Sequence, residues 1–143
     1  MRRALLALVL AACGDWVPDV GAPLVGRCVD EDSDPATPVS FSKDLAPIIM
    51  MRCAVCHTPT GKTPIGLEVG RLDLSSYRTL RAGGAVSGSG IVVPGSPCES
   101  IIVQKLSPAP PFGARMPLLG PPFLSDADQQ LFRDWIAEGA RDN

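Results

Sequence analysis

The sequence turns on five residues, Cys53-Ala54-Val55-Cys56-His57 (CAVCH), in a chain of 143 residues whose single histidine is His57. Two thiols separated by two residues, with an imidazole directly after the second, admit a few chemistries. The set suits a structural metal site, a redox dithiol, a covalent attachment point, or two structural cysteines beside a surface histidine. The choice decides what the core of the protein is made of, because the chain is short of large apolar side chains: it has two Trp, one Tyr and four Phe.

The surroundings of the motif separate these readings. Phe41, Leu45, Ile48, Ile49 and Cys53 recur at steps of three and four, which predicts a helix with one apolar face running to Cys56. Asp44 is the expected N-cap, and Pro47 then falls in the first turn, where a missing N–H breaks no internal bond. A structural zinc site needs four ligands, usually from two pairs; here there is one pair, one histidine, and Cys28 and Cys98 standing apart. A thioredoxin-like dithiol opens a helix after a strand, whereas this motif closes one. C-x-x-C-H is also the attachment signature of a c-type haem. Its spacing places two thiols to add to the two vinyl groups of one porphyrin, and it leaves the next residue under the iron as proximal ligand. That is the reading adopted: Cys53 and Cys56 hold one haem c per chain, and His57 is its proximal iron ligand. The macrocycle then supplies apolar bulk that seven aromatic residues do not.

With one histidine, a second imidazole from the same chain is impossible. The candidates for the sixth position are Met50, Met51, Met116 or an open site. Met50 and Met51 belong to the helix carrying the motif, on the proximal side, and are read as packing residues. Met116 lies 59 residues after His57 in a loop with six prolines between residues 107 and 124. It is the expected distal ligand. Arg115, and less so Arg52, are candidates to face the haem carboxylates; the alternative for both is a solvated surface charge.

The amino-terminal residues read as an export signal. Met1-Arg2-Arg3 precedes an apolar run of nine, residues 4–12 (ALLALVLAA), too short to span a bilayer. Leu10-Ala11-Ala12-Cys13 resembles the lipobox of bacterial lipoproteins, which implies cleavage before Cys13 and lipidation of Cys13. Plain secretion is the alternative. Loss of residues 1–12 takes the net charge from −2 to −4 by removing Arg2 and Arg3. Neither value suits a nucleic-acid partner. Export places the chain where disulfides persist. Of five cysteines, one goes to lipid and two to the motif, which leaves Cys28 and Cys98 to pair.

Residues 13–39 carry four prolines and the acidic cluster Asp30-Glu31-Asp32-Ser33-Asp34, and read as a tether, mobile at least in part. The folded domain is expected over residues 40–143. Short helices are predicted from Ser75 to Arg81, from Ser96 to about Leu106, and from Ser125 to Gly139. Ser96-Pro97-Cys98-Glu99 has the form of a capping box with proline at the first helical position. Ser125 is the N-cap of the last helix, with Ala127, Leu131, Phe132, Trp135 and Ile136 as its buried stripe. With 14 glycines and 15 prolines, about a fifth of the chain, long ordered loops connect these elements. No alternating strand pattern appears, so the fold class is all-α.

Taken together, residues 41–140 resemble a class I c-type cytochrome domain, and within that group the planctomycete-type domains of secreted bacterial proteins. The matching pieces are Phe41, Asp44-Leu45 and Pro47-Ile48, the CAVCH motif, Leu72-Asp73-Leu74, Gly83-Gly84 and Val93-Pro94-Gly95-Ser96. They continue with Arg115-Met116-Pro117, Leu124-Ser125 and Trp135-Ile136-Ala137-Glu138-Gly139-Ala140. The resemblance implies a cytochrome c-like fold whose first and last helices pack together, bringing Phe41 and Leu45 near Phe132 and Trp135. It implies that the methionine of the Met-Pro turn, here Met116, is the distal ligand. The long proline-rich loop and the Cys28/Cys98 pair depart from the pattern. The function expected is one-electron transfer between redox partner proteins, not enzymatic catalysis. The expected location is the periplasmic side of an inner or outer membrane, with the N-terminal lipid in the bilayer. Two alternatives are a peroxidase-like or gas-binding haem site with an open distal position, and a binding module structured by haem. Cys13→Ser is expected to move the protein from the membrane to the soluble fraction on cell fractionation; a variant that stays in the membrane would place the anchor elsewhere.

Overall fold

A computed structural model of the chain describes residues 28–143. Cys13 and the expected signal segment lie outside the described residues. Among the described residues there is no strand, and no helix is long and apolar enough to cross a membrane. Six α-helices carry the fold: α1 (Ala46–Arg52), α2 (Ala54–His57), α3 (Ile65–Glu68), α4 (Tyr77–Ala82), α5 (Ile101–Leu106) and α6 (Asp126–Ala137).

The first helix starts earlier than its proline suggests. Ser40, not Asp44, is the N-cap: its hydroxyl accepts from the Lys43 amide, while the Asp44 carboxylate accepts from the Ser40 amide at 2.8 Å. The turn between, Phe41–Leu45, is a π-helix that runs straight into α1. Its wider turn, with the Ala46 N–H on the Phe41 carbonyl, sits just ahead of Pro47. Pro47 has no N–H to give and its ring crowds the preceding turn, so the change of helical register falls where a regular helix could not continue unstrained. The other free N–H groups of this start are covered by the end of the chain. Asn143 accepts from the Phe41 amide through Oδ1 at 2.9 Å and from the Ser42 amide through its backbone carbonyl at 2.9 Å.

The core gathers where this start meets α6. Trp135 is fully buried, with Phe41 at 5.5 Å and Tyr77 at 6.3 Å between ring centroids, and Phe41 meets Tyr77 edge-on at 5.3 Å. Both polar handles in this cluster are satisfied: Trp135 Nε1 donates to the Arg141 carbonyl and the Tyr77 hydroxyl to the Ala140 carbonyl. Leu45, Ile49, Phe132 and Ile136 complete the contact between the first and last helices. The stripe of α6 differs from its periodic reading at four residues, Leu131 being only half-buried. Ala127 is exposed, and Gln129 and Asp134 are buried, each with a hydrogen-bonded partner. Ser125 caps α6 as expected, accepting from the Asp128 amide.

Residues 28–39, read from composition as a tether, are strapped to the domain. Cys28 and Cys98 are disulfide-bonded across 70 residues, a closure of roughly 4 kcal/mol in the chain-entropy account. Asp30 accepts from the Cys98 amide at 2.7 Å, Ser33 donates its amide and hydroxyl to Asp134 at 2.9 and 2.6 Å, and the Val39 amide reaches Glu138 at 3.0 Å. This changes the start of the fifth helix. No side-chain cap forms at Ser96. The Cys98 amide takes the strap's Asp30 instead, and Ser100 is buried with its hydroxyl between Val93 and Ser96, so a 3₁₀ turn, Pro97–Glu99, precedes α5.

The strap has a titratable anchor. Burial by itself pushes the Asp134 carboxyl up, but the Ser33 hydroxyl and amide, the Gln130 side chain and the Arg133 charge together hold it below the usual carboxylate range. A depressed folded value stabilises the fold above the unfolded value, about pH 3.9, and the contribution is lost as pH falls through the folded value. Asp134→Asn should therefore be less stable than wild type at pH 6, with the gap in denaturation midpoint closing as pH is taken below about 4. Asp134→Ala is expected to cost about 2–3 kcal/mol at neutral pH, the range for hydrogen bonds to a charged group.

Candidate functional site

The motif occupies its own turn of helix. α1 ends at Cys53, which caps it through a bond from its amide to the Ile49 carbonyl at 2.8 Å, and the Cys53 carbonyl then accepts from the Cys56 and His57 amides. This break lets the thiols of Cys53 and Cys56 sit one short turn apart on the wall of one cavity. Both are free, and neither is bonded to the other. Burial pushes the Cys53 thiol up to about 11, against the smaller pull of Arg52 and with a small push from Cys56. An attacking dithiol needs the opposite, a lowered value.

His57 is held on three sides. Its Nδ1 bonds the Leu72 carbonyl at 3.0 Å, and its own carbonyl accepts from the Leu74 amide at 2.8 Å. A carbonyl only accepts, so Nδ1 carries the hydrogen, and in the neutral ring Nε2 has the lone pair. The third side is Gly66 in α3, where a Cβ would stand 2.4 Å from Cε1 and 2.6 Å from either ring nitrogen. Only the bare backbone of glycine lets α3 lie this close to the imidazole.

Cys53, Cys56, His57 and Met116, all singled out from the sequence, line the same cavity, of about 470 Å³. That is within the range of small-molecule and cofactor sites, roughly 300–1,000 Å³. Met116 comes from the far loop and is half-buried against the core, with its amide on the Lys105 carbonyl at 2.8 Å. The remaining lining is apolar except for Ser87, Arg52 and Lys105; among the described residues no acidic side chain lines it. Among the described residues no group of three or more His, Cys, Asp and Glu gathers as an ion site.

Three readings of individual residues change. Arg115 is not on the cavity wall: its Nε donates to the Leu106 carbonyl and its guanidinium lies 4.1 Å from the centroid of the Phe123 ring. Arg52, favoured as a solvated charge, does line the cavity, and its guanidinium donates to the Pro122 carbonyl. Met50 and Met51 are exposed (53% and 80%), so packing does not explain them. Lys105 went unnoticed in the sequence although it follows Ile101 by one turn, a spacing that puts both on the cavity face of α5. Burial holds its ammonium below the ordinary lysine value.

The residues fit a haem attached through two thioethers: two free thiols at the signature spacing, an imidazole with Nε2 available, and a thioether from a separate loop share one apolar cavity bordered, among the described residues, by cationic charge alone. The chain matches no protein-family model, no curated protein and no solved structure. Gly66→Ala is expected to drive the His57 ring off the Leu72 carbonyl. It should destabilise the fold by about 1–3 kcal/mol, as overpacking does, seen as a lower denaturation midpoint together with loss of the hydrogen-bonded Nδ1–H signal in NMR.

Proposed function

We propose that the chain is a monohaem c-type cytochrome domain of the cytochrome c-like fold. It carries single electrons between redox partner proteins and has no catalytic role of its own. The observation that carries the reading is the state of His57: its Nδ1 is committed to Leu72, while Nε2 is left free on a cavity wall shared with the Cys53 and Cys56 thiols. When bound, haem c supplies reversible one-electron oxidation and reduction at its iron.

The chain's residues then have distinct tasks. Cys53 and Cys56 fix the group covalently, so it is not lost from an exported protein. His57 would hold the iron through Nε2, with the Leu72 carbonyl fixing the ring orientation as outer partners of ligating histidines do. Met116 would supply the second protein ligand to the iron, which would favour electron transfer over substrate binding and raise the reduction potential. The apolar walls would offer the macrocycle a surface of matching polarity. The proposal includes an exported chain anchored to a periplasmic membrane face through lipid on Cys13, which fits a carrier that meets membrane-bound partners.

Absorption spectra of the exported protein, oxidised and reduced, with and without carbon monoxide, test the reading. The oxidised protein is expected to show the weak far-red sulfur-to-iron band. Met116→Ala should abolish that band, bind carbon monoxide when reduced and have a lower potential. A wild type that is already high-spin and binds carbon monoxide would replace the carrier with a peroxidase-like or gas-binding site.

A further inference from the structure

The thioether of Met116 has three rotatable bonds and adapts to its surroundings, so its placement depends on the backbone that presents it. That backbone has little apolar anchorage. Gly113 and Ala114 are exposed and Phe112 is 45% exposed. Beside the Arg115 contact with the Leu106 carbonyl, the hydrogen bonds that hold it converge on Lys105, at the end of α5. The Lys105 carbonyl accepts from the Met116 amide at 2.8 Å. Its ammonium donates to the Phe112 carbonyl at 2.8 Å and to the Ala114 carbonyl, and lies 5.0 Å from the centroid of the Phe112 ring.

Gly113 makes the double contact possible. Its φ of +57° is left-handed, and a Cβ at this position would stand 3.2 Å from Nζ. A left-handed residue turns the chain sharply enough to bring the carbonyls on either side of it to one point. A single cation thus gathers two carbonyls within four residues of Met116, while the same residue's backbone holds Met116 itself.

We propose that Lys105 is the positioning residue for Met116, its ammonium clasping the Phe112–Ala114 turn so that the loop presents the thioether to the cavity. The inference rests on the reading of Met116 as an iron ligand. It adds that the ligand's place is set by a side chain on α5, outside the ligand loop. Hydrogen bonds with an ionised donor are the strong ones. Their loss should shift the balance between bound and released thioether by about ten- to a hundredfold.

The test compares haem-loaded wild type, Lys105→Leu, Lys105→Arg and Gly113→Ala. Leucine keeps the apolar stem, removes the ammonium and brings no ligand of its own. Gly113→Ala disturbs the same clasp from an exposed loop, and carries the test should Lys105→Leu fail to fold. The expected result has four parts. The far-red band weakens or disappears in Lys105→Leu and Gly113→Ala. Their reduced forms bind carbon monoxide at least about tenfold more tightly than wild type. The Met116 amide exchanges its hydrogen faster. Lys105→Arg retains the band, although a merely structural cost would not be rescued by charge. An unchanged band and unchanged carbon monoxide binding in both Lys105→Leu and Gly113→Ala overturn the inference and leave Met116 as ligand. A wild type without the band overturns the Met116 reading, and this inference with it.

Discussion

His57 gives its Nδ1 hydrogen to the Leu72 carbonyl, and much of the site is arranged around that bond. It fixes which nitrogen has a lone pair to offer. It also fixes the plane of the ring, because the His57 carbonyl is tied to the same short segment through Leu74. The segment from Leu72 to Leu74 belongs to no helix. Its free backbone groups are what allow it to bind a side chain and a main chain at once, since a helical carbonyl in mid-run is already engaged. The bare face of Gly66 closes the remaining side.

The cavity beside this imidazole lies against a core that is packed from one side. The Phe41, Tyr77 and Trp135 cluster, with Leu45 and Ile49, brings together the first helix and α6. Phe132 serves both regions, packing in the core and lining the cavity. With three of the seven aromatic residues spent on one cluster, the walls of the cavity are mostly aliphatic side chains from short helices and loops. Short helices are weak on their own, so the loops between them are held by specific hydrogen bonds: Asn143 at the helix start, Asp134 and Glu138 at the strap, Lys105 and Arg52 at the long proline-rich loop.

Local signals were legible and long-range ones were not. The helical periodicity of residues 41–53, the Ser125 cap and the pairing of Cys28 with Cys98 follow from spacing, capping chemistry and a count of thiols. The grouping of Cys53, Cys56, His57 and Met116 on one cavity is likewise what the motif and the scarcity of alternatives pointed to. The misreadings share one cause. Asp44 gave way to Ser40 because the helix starts one turn earlier, where the distant Asn143 takes the Phe41 and Ser42 amides, and the Ser96 box did not form because Asp30 takes the Cys98 amide. Asp134 is buried because a strap, invisible to the period of α6, covers that side of the helix through Ser33. Met50 and Met51 fall on the outer face of α1. Arg115 was named for its place beside Met116 and Lys105 was not, yet the α5 register carries Lys105 to the cavity while Arg115 turns to the Leu106 carbonyl and the Phe123 ring.

The bond between Cys28 and Cys98 also has a mechanical meaning. It closes residues 28–98 into a covalent ring that contains the π turn, α1, the CAVCH turn and α4. Tension applied to the chain upstream of residue 28 cannot unzip this region one residue at a time. The load divides at Cys28 and passes directly to the start of α5, bypassing the helix that bears the two thiols. Met116 lies outside the ring, on the loop that follows α5. A pull from the amino-terminal side therefore meets the Cys53–His57 part of the site as a closed loop, and reaches Met116 only through α5 and the contacts that dock the loop onto it.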